Sequence, residues 1–343
     1  MSFLPVSLKQ VAERAGVSAM TVSRVLRNSP QVNTSTRARV LDIIDQMGYR
    51  PDPLVMQLME RVRHQRQAGE RATLALVYDH PSAGPDAHNY VSIEDIRARA
   101  ASYGYRVEAF RLGAGGLSAA RLRKVLETRG IRGVLLSVNP SAKATAQFDF
   151  GGLSTVTFGF GLRSPSLHRA STNVTQGMLD IFEVLEKRGY GRIGMAVTQW
   201  ADVRAGHTYA GALLHYQQSL PPSQRVPMFL FSDYSPEENR RLFEAWLRKH
   251  RPDVLISVPE PVLTWLGQMG LRVPQDMGLL VHDWVPSMQG LAGMNHRRRE
   301  VAAAAVDLLA SHLQHHEYGI PEVPRQILIP PIFVEGDSLR RAP

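Results

Sequence analysis

The stretch from Val6 to Leu26 admits very few folds. Leu8, Val11, Ala12 and Ala15 recur at i, i+3, i+4 and i+7, one face of a short helix, and Ser7 stands where it can cap that helix. Gly16 supplies a positive-φ turn. Ser18 then caps a second helix with Val22, Val25 and Leu26 facing inward. Ala19, Met20, Thr21, Ser23, Arg24 and Arg27 are left on the outside or at the leading end. An αα-hairpin inside a core has no use for an exposed face of hydroxyls and arginines, whereas a helix-turn-helix lays such a face into the DNA major groove. A third helix follows, capped by Asn33 or Thr34 and ended by Gly48, with Val40, Leu41, Ile44 and Met47 as its expected buried stripe. Arg37 and Arg39 lie on its outer surface, within reach of phosphate. Three helices in about fifty residues bury little area, so this module belongs to something larger.

Charge supports a polyanion partner. The chain of 343 residues carries +9, and residues 1–71 hold eleven Lys/Arg against six Asp/Glu, +5 of that total. With no cysteine there is no disulfide, thiolate metal site or cysteine nucleophile. The absence of a signal-peptide pattern and of a membrane-length apolar run predicts a cytoplasmic protein that makes no use of a membrane.

From Ala72 onward strands alternate with helices. The first series runs strand Thr73–Tyr78, helix Ile93–Ala100, strand Tyr105–Phe110, helix Ser118–Thr128 and strand Gly133–Ser137. The second runs helix Gln176–Arg188, strand Arg192–Val197, helix Ala205–Gln218, strand Val226–Phe231 and helix Pro236–Lys249. It closes with strand Val254–Ser257, helix Pro261–Met269 and strand Met277–Val281. Two such series predict two parallel-sheet subdomains with helices on both faces.

The head resembles that of the LacI/GalR family of bacterial transcription regulators. The likeness runs from Leu8-Lys9-Gln10-Val11-Ala12 through Ala15-Gly16-Val17-Ser18 and Thr21-Val22-Ser23-Arg24-Val25-Leu26. It continues through Thr36-Arg37-Ala38-Arg39-Val40 to Gly48-Tyr49-Arg50-Pro51. The resemblance implies a small all-α helix-turn-helix headpiece (1–51), a hinge helix and linker (52–71), an α/β two-lobed periplasmic-binding-protein-like core (72–335) and a tail (336–343). Lobe one would take about 72–162 and 290–322, and lobe two about 163–289 and 323–335. The three crossovers would fall near Gly159–Pro165, Asp283–Gln289 and Pro321–Gln326.

The implied function is a transcription regulator, a repressor, that binds a palindromic operator as a homodimer and answers to a sugar-like effector between the lobes. It implies no cofactor, no metal and no catalysis. Ser18, Ala19, Met20, Thr21, Ser23 and Arg24 would enter the major groove, with Arg24 donating to guanine and Ala19 and Met20 touching thymine methyls. Ser7, Asn28 and Arg37 would hold phosphates, with Ser18 and Thr21 assisting. In the hinge, Asp52 and Pro53 would start a helix that pushes Leu58 into the minor groove. This chain departs from the family there, with Val55 in place of a small alanine and a longer basic stretch carrying Arg61, Arg63 and Arg66.

The ligand in such a core lies at strand ends between the lobes. Arg204 matches a family arginine, although His207 replaces the glycine usual three residues later; Asp283 matches an aspartate, and Trp284 beside it would stack on a sugar. Glu260 occupies another matching loop, and Asp79, His88, Phe160, Asn173 and Trp200 sit in comparable ones. A sugar-binding protein with a vestigial DNA module and an α/β enzyme fused to a DNA-binding head are the alternatives, and no catalytic constellation supports the second. The cluster His312, His315, His316 and Glu317 reads as a solvated helix end rather than a metal site. Arg297-Arg298-Arg299 with Glu300 reads as a surface helix start, and Gly113–Gly116 lacks the Lys-Ser/Thr of a phosphate loop.

Overall fold

The computed structural model describes residues 7–26, 31–49, 72–79, 91–137, 148–231 and 236–341. Arg27, Asn28, the expected hinge helix with Leu58, and His88 lie outside these.

In the head, α1 (Leu8–Ala15), α2 (Ala19–Leu26) and α3 (Thr34–Gln46) close around Val11, Ala12, Ala15, Val22, Val25 and Val40. Gly16 ends α1 at φ 63°, where its N–H caps the carbonyls of Ala12 and Glu13. Leu41 does not join the stripe expected of α3: it is 47 % exposed, and Ile43 packs against the core instead. Val40 at the centre of the contact sets the inward direction, and Leu41 is rotated one residue away from it.

The core holds two six-stranded sheets. The first contains β1 (Thr73–Tyr78), β2 (Arg106–Arg111), β3 (Gly133–Ser137), β4 (Ser154–Phe158), β5 (His168–Thr172) and β11 (Gln326–Ile329), in the order β11-β5-β4-β3-β1-β2, all parallel. The second contains β6 (Ile193–Thr198), β7 (Phe229–Phe231), β8 (Val254–Ser257), β9 (Gly278–Trp284), β10 (Ala292–Asn295) and β12 (Ile332–Val334). Its order is β12-β10-β9-β8-β6-β7, with β12 alone antiparallel.

Both faces of each sheet are covered, as parallel sheets require. The helices α4 (Ile93–Ser102) and α11 (Arg298–His315) bury one face of the first sheet, and α5 (Ala119–Thr128) the other. In the second, α6 (Val174–Lys187) and α8 (Thr208–Gln218) lie on one face, α9 (Pro236–His250) and α10 (Val262–Gln268) on the other.

Strand membership moves the crossovers and the lobe limits. The chain leaves the first sheet after Thr172, returns after Asn295 and leaves again after Ile329, each later than the sequence predicts. The cause of the first shift is β5. Its residues His168-Arg169-Ala170-Ser171-Thr172 do not read as an apolar run, yet all five are buried. Their polar groups find partners: Arg169 donates to the carbonyls of Gly159 (2.8 Å) and Leu162 (3.1 Å), and His168 accepts the Arg325 N–H (2.9 Å). The expected helix Ala205–Gln218 starts three residues late, as α8, because Gly206 and His207 both turn left-handed; a separate short helix, α7 (Gln199–Arg204), precedes that turn.

The residues expected to form a tail are part of the second lobe. Leu339 is buried in its core. Ser338 Oγ accepts the Ala292 N–H (2.8 Å) and donates to the Leu279 carbonyl (2.6 Å). Ser338→Ala leaves both backbone groups buried without a partner, so chemical denaturation should show a loss of about 1–3 kcal/mol.

A DNA-reading face and an interlobe seam

The DNA-reading face follows from how α1 and α2 begin. Ser7 and Gln10 cap each other: Ser7 Oγ accepts the Gln10 N–H (3.3 Å) and Gln10 Oε1 accepts the Ser7 N–H (2.7 Å). Ser18 Oγ accepts the Thr21 N–H (3.1 Å) and bonds the Thr21 hydroxyl (3.0 Å). With Val22 and Val25 buried behind it, α2 turns Ser18, Ala19, Met20 and Arg24 outward; Met20 is 59 % exposed. Thr21 and Ser23 are half-buried at the edge of this face. Arg37 is half-buried on the first turn of α3, which Asn33 caps through the Thr36 N–H (2.8 Å). An exposed methionine among hydroxyls and a guanidinium suits base edges that mix methyl groups with acceptors.

The two lobes meet where their strands end. Beyond β4, the Phe160 N–H donates to the Arg204 carbonyl at the end of α7 (3.2 Å). Arg169 lies over the Phe160 ring at 5.0 Å, and Arg204 lies over the Trp200 ring at 4.3 Å. Phe160, Trp200 and Arg204 are therefore brought together. Asp79 directly follows β1, half-buried.

Asn173 serves as a cap, accepting the Gln176 N–H (3.2 Å), while its own N–H donates to the Ile329 carbonyl (2.8 Å). Glu260 stays exposed and accepts the Thr264 hydroxyl (2.9 Å). The Trp284 indole N–H is drawn to the carbonyls of Leu291 (3.0 Å) and Met288 (3.2 Å), which anchors the ring on its own loop.

Asp283 is held by lobe one. Arg298, at the start of α11, bonds its carboxylate, and His296 Nδ1 lies 3.7 Å away. Burial disfavours the Asp283 charge, but His296 and Arg298 outweigh it and hold the carboxyl below the ordinary range. Arg298 is thus no mere surface residue of a charged helix start, and only the folded chain brings it to Asp283 across the seam. Behind it, His296 Nε2 donates to the His282 carbonyl (2.9 Å), and the Thr172 hydroxyl donates to the His296 carbonyl (2.7 Å). His282 Nδ1 meets the Tyr209 hydroxyl (3.2 Å), and burial pushes its imidazole down to about 4.

The histidine cluster at the end of α11 is not a solvated helix end. His312 is buried, stacked on His168 with centroids 4.0 Å apart and planes 19° from parallel, and it bonds Glu317. His315, His316 and Glu317 are exposed, and His312 alone of the four is buried. Ligand atoms of His168, His312 and Glu317 lie within 4.8 Å of one another. Stacked rings aim their lone pairs side by side rather than at one point, and His168 Nδ1 already accepts the Arg325 N–H, so the trio does not suit a metal. His168 lies 144 residues before His312, and no spacing in the sequence signals the pair.

A cavity of about 420 Å³ lies at the amino ends of the second sheet's strands, lined by Arg188, Glu335, Asp337 and Arg340 among others, and contains none of the expected ligand residues. Among the described residues no helix is long and apolar enough to cross a membrane.

A helix-turn-helix head before a two-sheet core defines the class, a DNA-binding regulator with a binding-protein core. Residues 7–52 match the bacterial regulatory proteins of the lacI family, and residues 182–339 match the periplasmic binding protein-like domain. The chain thus carries a lacI-family helix-turn-helix domain followed by a periplasmic-binding-protein-like domain. The transcriptional repressor PurR of Edwardsiella ictaluri is 23 % identical over 353 residues, 98 % of each chain. The regulator AglR of Rhizobium meliloti is 51 % identical over 55 residues, 16 % of this chain and 15 % of AglR. Among solved structures, the complex of regulator CelR with cellobiose superposes with a TM-score of 0.61 at 20 % identity, covering 97 % of this chain and 99 % of that one. The Lac repressor dimer bound to operator and the anti-inducer ONPF gives 0.58 at 17 %, covering 98 % and 99 %. The structures share the fold, and the named relatives are transcriptional regulators rather than enzymes.

Burial pushes the His168 imidazole down to about 4, with His312 and Arg325 adding to the effect. His168 and His282 are thus neutral in the folded chain at pH values where an unfolded histidine, near 6.5, takes a proton. Their contribution is complete above that value and is lost as pH falls toward 4, by at most about 1.4 kcal/mol per pH unit for each group. Denaturation midpoints measured between pH 7.5 and 4.5 should fall on the acid side, and His168→Gln should flatten the slope.

Proposed function

We propose that this chain is a repressor that reads a palindromic operator as a homodimer and is controlled by a sugar-like effector held between its lobes. The observation that carries the reading is α2, whose leading end is capped by Ser18 and whose outer face offers Met20 and Arg24 while Val22 and Val25 anchor it behind. In this reading Arg24 donates to guanine, Ala19 and Met20 meet thymine methyls, and Thr21 and Ser23 border them. Ser7, Asn28 and Arg37 fix register on phosphates, and Leu58 enters the minor groove. Arg204, Asp283, Trp284, Glu260, Asp79, His88, Phe160, Asn173 and Trp200 are the candidate effector contacts in this reading. The cellobiose held by CelR, a protein of the same fold, supports a carbohydrate effector.

Effector and operator would be coupled through lobe closure, typically about 1–3 kcal/mol and equal in both directions. Selection of bound duplexes from a random DNA pool tests the reading: a short inverted repeat is expected, and recovery of no motif would overturn it. On the selected site, Arg24→Ala should relax preference at one base pair by about 1–3 kcal/mol. Arg37→Ala should weaken all sequences alike and lower the salt slope by about one.

A further inference from the structure

The sequence marks His207 only as a departure from its family's pattern, and the structure gives that residue an elaborate setting. Gly206 and His207 are consecutive left-handed residues, φ 67° and 63°, between α7 and α8. Glycine adopts this conformation freely; an imidazole-bearing residue does so at a cost, and such positions gather at functional sites. Two bonds to one residue hold His207 there. Its N–H donates to the Asp202 carbonyl (2.8 Å), and its ring Nδ1 meets Asp202 Oδ2 (2.9 Å).

Asp202 is itself 3 % exposed, and its second oxygen accepts the Ala210 N–H (3.1 Å). A buried carboxylate accepts only, so it selects the Nδ1–H form of the neutral ring and leaves the Nε2 lone pair as an outward acceptor. The His207 side chain is 54 % exposed. It stands on the loop where the lobes meet: a Cβ placed on Gly206 would touch Phe160 of lobe one at 3.4 Å, and Arg204 accepts the Phe160 N–H.

We infer that His207, oriented by Asp202, is a specificity-determining contact that accepts a hydrogen bond from a hydroxyl of an uncharged carbohydrate bound between the lobes. The inference rests on the effector reading above and adds the residue and the ligand class. Of the seam cations, Arg298 is already bonded to Asp283, and Arg169 donates to the carbonyls of Gly159 and Leu162. A phosphate or carboxylate would have to displace those bonds, whereas a neutral ligand would not. Asp202 is a positioning residue, and His207 makes the contact.

Calorimetric titration of the full chain with cellobiose, glucose, galactose, their deoxy derivatives and glucose 6-phosphate provides the test. At least one neutral sugar is expected to bind, and His207→Ala to weaken it about tenfold. One deoxy derivative should bind the unaltered protein correspondingly less well and lose nothing further in His207→Ala, because the bond is already gone. Asp202→Asn should repeat that pattern, weakening the parent sugar and not this derivative, and His207→Gln, which keeps an acceptor, should recover part of the loss.

Equal affinity in His207→Ala, or the same loss for every deoxy derivative, would overturn the inference and leave the effector reading intact. Binding of glucose 6-phosphate in preference to the neutral sugars would overturn the ligand class alone. If none of the sugars binds and none alters operator affinity, the effector reading fails and this inference with it.

Discussion

Three strands of chain pass between the lobes, and they are bonded to one another where they pass. The Thr172 hydroxyl of the first passage donates to the His296 carbonyl of the second, and the Asn173 N–H donates to the Ile329 carbonyl of the third. His296 in turn holds the end of β9 through the His282 carbonyl. Buried backbone groups such as these are costly to leave unpaired, so the passages stay joined while the lobes move about them. Every other polar arrangement at the seam depends on that joint. Asp283 meets Arg298 because β9 and α11 leave it side by side, and Phe160 meets Arg204 because β4 and β6 both end toward it.

Under the proposed effector reading, a joint of this kind would turn ligand contacts into lobe position. A ligand shifts the balance between open and closed lobes only by the difference in its contacts with the two. Residues that change partners on closure therefore matter more than those that stay bonded. Trp284 is tied to its own loop, and Asn173 to its own helix. Arg204 and Phe160 face each other from different lobes, and the Asp283–Arg298 pair spans them. In the proposed function, the seam is where modest contact energies would be passed on to the head.

Legibility in the sequence followed the kind of interaction. The head was read from local features, because capping pairs, a glycine turn and a helical stripe act within four residues of each other. The exception was Leu41, one residue off a stripe whose direction Val40 sets. Apolar strands such as β1, β3 and β8 were equally plain. β5 was not, since Arg169 enters the interior by bonding carbonyls of the loop before it and Thr172 by bonding the distant His296 carbonyl, and burial weighs against the Arg169 charge that must be accommodated there. Missing β5 displaced the first crossover, and missing β10 and β11 displaced the other two. α7 and the late start of α8 were not legible for a related reason: Asp202 holds the left-handed His207 through two bonds that composition does not announce.

What the sequence determined alone is the course of the head's three helices and which residues of α2 face outward, because helix periodicity and caps are local and carry their geometry with them. The tertiary structure decided which polar residues meet. His168 and His312, Asp283 and Arg298, and Ser338 with Leu279 and Ala292 are each brought together by sheet order and chain crossing. Those pairings depend on how strands assemble across long separations, and one-dimensional spacing does not encode that.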